Sequence, residues 1–193
     1  MSAIEPMEWL LEGFIPVNDQ VLLYGEAGTG KTTAAIAAAF AVIDGTGLLD
    51  HTTPPTPGKV LFISSDSGRR PLSEVLERSN FAGHPALTDG RLIVWAHSKT
   101  EARKAWDASI AGSLALLDTV KREGIALVLI DSCKAVTTKA DIEYTSNPQV
   151  TALLTFFQEV LCEHCAVVWL NHDGTGKGMH AGAKAWREIP SMV

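Results

Sequence analysis

The sequence predicts an α/β fold of three layers, with helices on both faces of a mostly parallel central sheet. Short apolar runs at residues 21–24, 59–64, 91–96, 125–130 and 166–170 alternate with helical patterns. Strands that read as continuously apolar, with no polar alternation, belong to sheets covered on both sides. A glycine-rich segment joins the first run directly to an alanine-rich helix. Gly25, Asp66, Asp131 and Asn171 stand at or just beyond the ends of four runs, which is where such sheets collect ligands.

Each element has a local reason. After a lead-in at residues 1–19, Val21-Leu-Leu-Tyr24 is the first core strand, and residues 33–43 carry the apolar content of a long helix. The connector Thr52-Thr-Pro-Pro-Thr-Pro-Gly58 breaks regular structure before the strand at 59–64. Pro71 opens a helix expected over 71–80, since proline suits a first turn. The strand at 91–96 precedes an amphipathic helix expected over 106–122, and Gly124 stops that helix before the strand at 125–130. Asn147-Pro148 reads as the cap and first turn of a helix through 163, ahead of the strand at 166–170. Residues 189–193 read as the start of a further strand, so the fold is expected to be truncated at the C-terminus. There is neither an internal repeat nor a linker, so 1–193 is expected to form one domain.

Composition narrows the class. Hydrophobic residues at 46% and charged residues at 20% match a globular chain. The longest apolar stretch, 34–43, is far short of the roughly 20 residues needed to span a bilayer. No basic-then-apolar leader opens the sequence, and three cysteines make no disulfide framework, so a reducing, cytoplasmic location is expected. Cys162-Glu-His-Cys165 has the spacing of half a zinc site, but no second cysteine pair exists and buried thiols are the expected reading. A net charge of −6 speaks against a broadly basic nucleic-acid surface and leaves room for one basic loop.

The glycine-rich segment carries the most specific chemistry. Gly25-Glu26-Ala27-Gly28-Thr29-Gly30-Lys31-Thr32, followed by Thr33, fits the phosphate-binding pattern G-x-x-x-x-G-K-[ST] between a strand and a helix. Its glycines let backbone N–H groups face the phosphates of a nucleotide, Lys31 reaches the β- and γ-oxygens, and the Thr32 hydroxyl faces Mg²⁺. The motif admits ATP or GTP, and no Asn-Lys-x-Asp guanine-reading tetrapeptide occurs.

Other strand ends supply the remaining groups. Asp131 closes an apolar strand as a metal-holding carboxylate would, or as an ordinary turn former. Asp66, in Ser64-Ser65-Asp66-Ser67-Gly68, is placed to polarise an attacking water or to cap the helix at Pro71. Asn171 and His172 can sense a γ-phosphate without adding charge, unless the histidine is simply a satisfied core residue. Residues 172–187 are rich in glycine, with Lys177, Lys184 and Arg187 among them, and read as a mobile basic loop. That loop suits single-stranded nucleic acid, or is an ordinary connection; Lys184 and Arg187 also suit a trans-acting role at a neighbouring subunit's nucleotide. Gly174-Thr-Gly-Lys177 fails the phosphate-loop pattern, because Asn171 holds the first glycine position and no hydroxyl follows the lysine.

The order of these pieces resembles the RecA-like P-loop ATPases, particularly the RepA/DnaB-type hexameric helicase branch with its AAA-type phage and plasmid relatives. Trp9-Leu-Leu-Glu-Gly-Phe-Ile-Pro16 is similar to the segment before the phosphate loop in that group, and Val60 to Asp66 to the strand ending in its catalytic glutamate. Residues 127–131, Asn171-His172 and Gly182-Ala-Lys184-Ala-Trp-Arg187 resemble its Walker B strand, sensor and final basic segment. Asp66 is one methylene shorter than the family glutamate. The resemblance implies a ring, of six subunits as in the hexameric branch, that hydrolyses ATP with Mg²⁺ at its interfaces and moves on single-stranded DNA in replication; the short apolar stretches imply no membrane partner. It implies catalytic roles for Lys31, Asp66, Asn171, His172 and Arg187, and a metal role for Thr32 and Asp131. The alternatives are a DNA-binding switch or recombination mediator that does not unwind, a nucleotide-binding fragment without turnover and, more distantly, a small-molecule kinase. The kinase reading finds no arginine-rich lid.

Overall fold

The computed structural model describes residues 7–48, 56–65, 69–96, 106–172 and 182–191. Its centre is a five-stranded sheet of β3 (Gln20–Gly25), β4 (Lys59–Ser64), β5 (Leu92–Ala96), β6 (Ile125–Asp131) and β7 (Ala166–His172), in the order β3-β7-β6-β4-β5. Every pairing is parallel. Parallel neighbours need crossover connections, and here helices supply them. They are α1 (Lys31–Asp44), α2 (Arg69–Arg78), α3 (Ile110–Glu123), and α4 (Cys133–Lys139) with α5 (Asn147–Phe156).

Strand alternation sorts the core into two halves. Leu127, Leu129, Val168 and Leu170 join Ile36, Phe40 and Ile43 of α1 and Leu72 and Leu76 of α2 on one face. Val128, Ile130, Val167 and Trp169 join Leu116 and Val120 of α3 and Val150, Leu154 and Phe157 on the other. The chain is therefore a three-layer α/β/α fold. No helix among the described residues is long and apolar enough to cross a membrane.

The lead-in has structure that the sequence pattern did not reveal. β1 (Trp9–Leu11) and β2 (Ile15–Pro16) form a small antiparallel hairpin. It delivers Leu11 and Ile15 to the α1-side core.

The helix expected over 71–80 spans Arg69–Arg78, and three other helix boundaries move for a visible reason. The helix expected from Trp106 begins at Ile110. Asp107 Oδ1 accepts from the Ser109 amide at 3.0 Å, Ser109 Oγ accepts from the Gly112 amide at 3.1 Å, and Trp106 Nε1 donates to Gly112 O at 2.9 Å. This capping knot holds Trp106 outside the helix it precedes. At α5 the cap position falls on Ser146, and Asn147 instead accepts from the Ala185 amide at 2.8 Å. The helix expected through 163 turns into one π-helical turn at Phe157–Leu161, where the Cys162 amide donates to Phe157 O five residues back at 2.8 Å.

Residues 182–187, the end of the stretch read as a mobile loop over 172–187, have defined structure. Residues 173–181 lie outside the described residues, but the following segment packs down: Ala183, Ala185 and Trp186 are buried, and α6 spans Ala185–Glu188. The Ser191 amide donates to Gln20 O at 3.0 Å, touching the outer edge of β3.

Candidate nucleotide site

The carboxyl ends of β3, β7 and β6 converge because their registers align. Tyr24 and Gly25 of β3 pair with Asn171 and His172 of β7, and Leu170 pairs with Asp131 of β6. The phosphate-loop segment leaves β3 at Gly25 and enters α1 at Lys31. Gly28 at φ +81° and Gly30 at φ +89° adopt left-handed backbone that a β-carbon disfavours, so glycine is needed at both. Gly30 is the N-cap of α1 and provides no side-chain cap; no acidic residue stands in the first turn. A helix start built this way keeps its dipole and N–H groups for an incoming anion.

Lys31 is only 9% exposed and curls back over the loop. Its Nζ donates to Gly25 O and to Glu26 O, each at 2.8 Å. Thr29 Oγ1 donates to Glu26 O at 2.8 Å and tightens the same turn. Ala27 and Thr33 are exposed beside it. The ammonium is thus held at the centre of the turn by carbonyls, in a place where phosphate oxygens compete favourably as acceptors.

Thr32 meets the end of β6 directly. Its Oγ1 donates to Asp131 Oδ2 at 2.8 Å, across 99 residues of sequence. Asp131 is itself only 9% exposed. A hydroxyl and a carboxylate side by side are hard oxygen donors of the type Mg²⁺ selects, and they stand at the uncapped helix start where a phosphate would bring the remaining ligands. The residues present fit a nucleotide-bound Mg²⁺. The Asp131–Ser132 peptide is cis.

The other expected residues separate. Asp66 lies outside the described residues. Its neighbour Ser65 donates its amide to Asp131 O at 2.7 Å and accepts Lys139 Nζ on its carbonyl at 2.6 Å. Lys139 of α4 is a cation at the strand ends that no motif had marked. Position 172 stands opposite Gly25 in register. Asn171 is buried, with its side chain on the face opposite α1, where it accepts a hydrogen bond from the Tyr144 hydroxyl. Burial raises the Tyr144 hydroxyl above the ordinary tyrosine range, with the nearby Cys133 adding to the shift and the Asn171 bond opposing it. Tyr144 therefore stays a donor at neutral pH. Arg187 and Lys184 are exposed on and beside α6. Cys162 and Cys165 are buried in the α5-side core, their thiols pushed up by burial, Cys165 to about 12.

Comparison with known proteins agrees with this architecture. The family described as AAA domain matches residues 1–178. The crystal structure of a KaiC-like protein from the hyperthermophilic archaeon Pyrococcus horikoshii OT3 is similar, with a TM-score of 0.61 and 16% identity over 89% of this chain and 73% of that one. No curated protein matches.

Proposed function

The chain belongs to the AAA domain family, as a RecA-like P-loop ATPase, and from that premise we propose that it binds and hydrolyses Mg·ATP in the service of single-stranded DNA, as a helicase-type motor. One observation carries the nucleotide part: the Thr32–Asp131 hydrogen bond set beside Lys31 at an uncapped helix start. Lys31 exchanges its two carbonyl acceptors for phosphate oxygens and stabilises charge developing on the γ-phosphate. Backbone amides of residues 25–33 hold the phosphates in line for transfer. Thr32 and Asp131 would hold Mg²⁺, which would supply neutralisation of phosphate charge. Asp66 orients the attacking water, and Asn171 and His172 relate phosphate state to the residues beyond β7. Lys184 and Arg187 serve a neighbouring subunit's nucleotide in a ring. The DNA-directed part is supported by the resemblance of the motif order and by the exposed cations of the last segment.

The test is phosphate release by the wild type and Lys31→Ala, with and without single-stranded DNA, alongside strand displacement. Wild-type turnover that needs Mg²⁺, rises with DNA and falls at least about a hundredfold in Lys31→Ala is expected. Equal background rates in both proteins overturn the enzyme reading. A second reading is a nucleotide-dependent switch or recombination mediator, which the same Lys31 and Thr32–Asp131 contacts would serve equally, since they bear on the nucleotide and not on unwinding. DNA-stimulated hydrolysis without strand displacement selects it.

A further inference from the structure

Tyr144 contacts the two stretches of chain that flank residues 173–181. On one side its hydroxyl donates to Asn171, the β7 residue that pairs with Tyr24 just before the phosphate loop. On the other side its carbonyl accepts the Ala183 amide at 3.2 Å, and its ring lies 5.7 Å from the Trp186 ring. Gly182 at φ +109° presses on the same ring: a β-carbon there would stand 2.5 Å from Tyr144 Cε1 and 2.6 Å from Cζ. The contact exists because residue 182 has no side chain.

The segment held in this way carries Lys184 and Arg187, both exposed. Its seat leaves one polar group unmet among the described residues. Trp186 is fully buried against Trp169 and Tyr144, yet its Nε1 has no hydrogen-bond acceptor among the described residues. An unmet buried donor regains water when the side chain leaves, which lowers the cost of undocking.

We propose that Tyr144 is a positioning residue, a latch that ties the β7 end beside the phosphate loop to residues 182–191 and so sets where Lys184 and Arg187 point. The proposal rests on the nucleotide reading above for its consequence in turnover, but the latch itself is a property of the nucleotide-free fold. Tyr144→Phe keeps the ring against Gly182 and Trp186 and removes only the hydroxyl, leaving Asn171 Oδ1 without that donor.

Hydrogen exchange of the nucleotide-free wild type and Tyr144→Phe tests the latch, and steady-state kinetics tests its use. Exchange across 182–191 is expected to quicken about five- to tenfold in the variant, with the sheet unchanged. The kcat is expected to fall about tenfold, with KM held within about twofold. Unchanged exchange overturns the latch. Faster exchange with wild-type kcat reduces Tyr144 to a packing residue and overturns the coupling. If Tyr144→Phe does not fold, Gly182→Ala displaces the ring from the opposite side and should give the same local loosening. A wild type that binds no Mg·ATP overturns the nucleotide reading instead, and the exchange comparison still decides the latch separately.

Discussion

Asp131 illustrates how one side chain is given its task by its neighbours. As the last residue of an apolar strand it reads equally as a turn former or a metal holder. The Thr32 hydroxyl 2.8 Å away favours the second role, because it forms half of an oxygen pair at the phosphate-loop helix. Asp131→Asn keeps an acceptor for Thr32 and removes the charge. Its expected effect is selective: the Mg²⁺ concentration for half-maximal hydrolysis should rise about tenfold or more, with little loss of thermal stability. A Mg²⁺ titration of ATPase rate beside a melting curve checks both. At Asn171 the same scale gives a different outcome. The sequence offers it as a phosphate sensor, whereas the fold turns its side chain away from α1 and onto Tyr144. The Tyr144 hydroxyl is thus one route by which a change at Asn171 reaches the rest of the fold.

Among the elements, capping decides what periodicity leaves open. The amphipathic pattern after residue 106 extends smoothly into α3, and no apolar spacing marks its start. Ser109, receiving the Gly112 amide at 3.1 Å, sets the start, while Gly124 in left-handed backbone ends the helix where the sequence expects. Ser109→Ala should cost about 1 kcal/mol, seen as a melting temperature lower by about 2–4 °C, with ATPase rate unchanged. No loss would mean that the Trp106–Asp107 contacts hold the turn alone. The π-helical turn at Phe157–Leu161 was similarly hidden. It seats Phe157 between Trp106, at 6.5 Å, and Trp169, at 4.7 Å, a long-range demand that local sequence does not display.

Across the whole molecule, burial of thiols and of one tyrosine makes the fold sensitive to alkaline pH. Cys133, Cys162, Cys165 and Tyr144 all lie above their ordinary values, mainly through desolvation. The folded chain therefore keeps protons that the unfolded chain begins to lose near about pH 8.5 for thiols and about 10 for the tyrosine. The unfolded state binds fewer protons above those values, so the stability these four groups contribute is complete below about pH 8.5 and declines as pH rises past it. Melting temperatures measured from pH 7.5 to 10.5 should fall progressively, and a flat profile would contradict the burial of these groups.

The strands, their parallel character and the phosphate loop were legible because they are written locally: continuous apolar runs demand two covered faces, and Gly28, Gly30, Lys31 and Thr32 act through backbone geometry within one turn. The hairpin at Trp9–Pro16, the Asn147–Ala185 bond, the Lys139–Ser65 contact and the Tyr144–Asn171–Trp186 assembly were not. Each joins residues whose meeting depends on which strands become neighbours. Neither periodicity nor motif spacing carries that information, since it arises only when burying the faces of five strands at once brings their ends together.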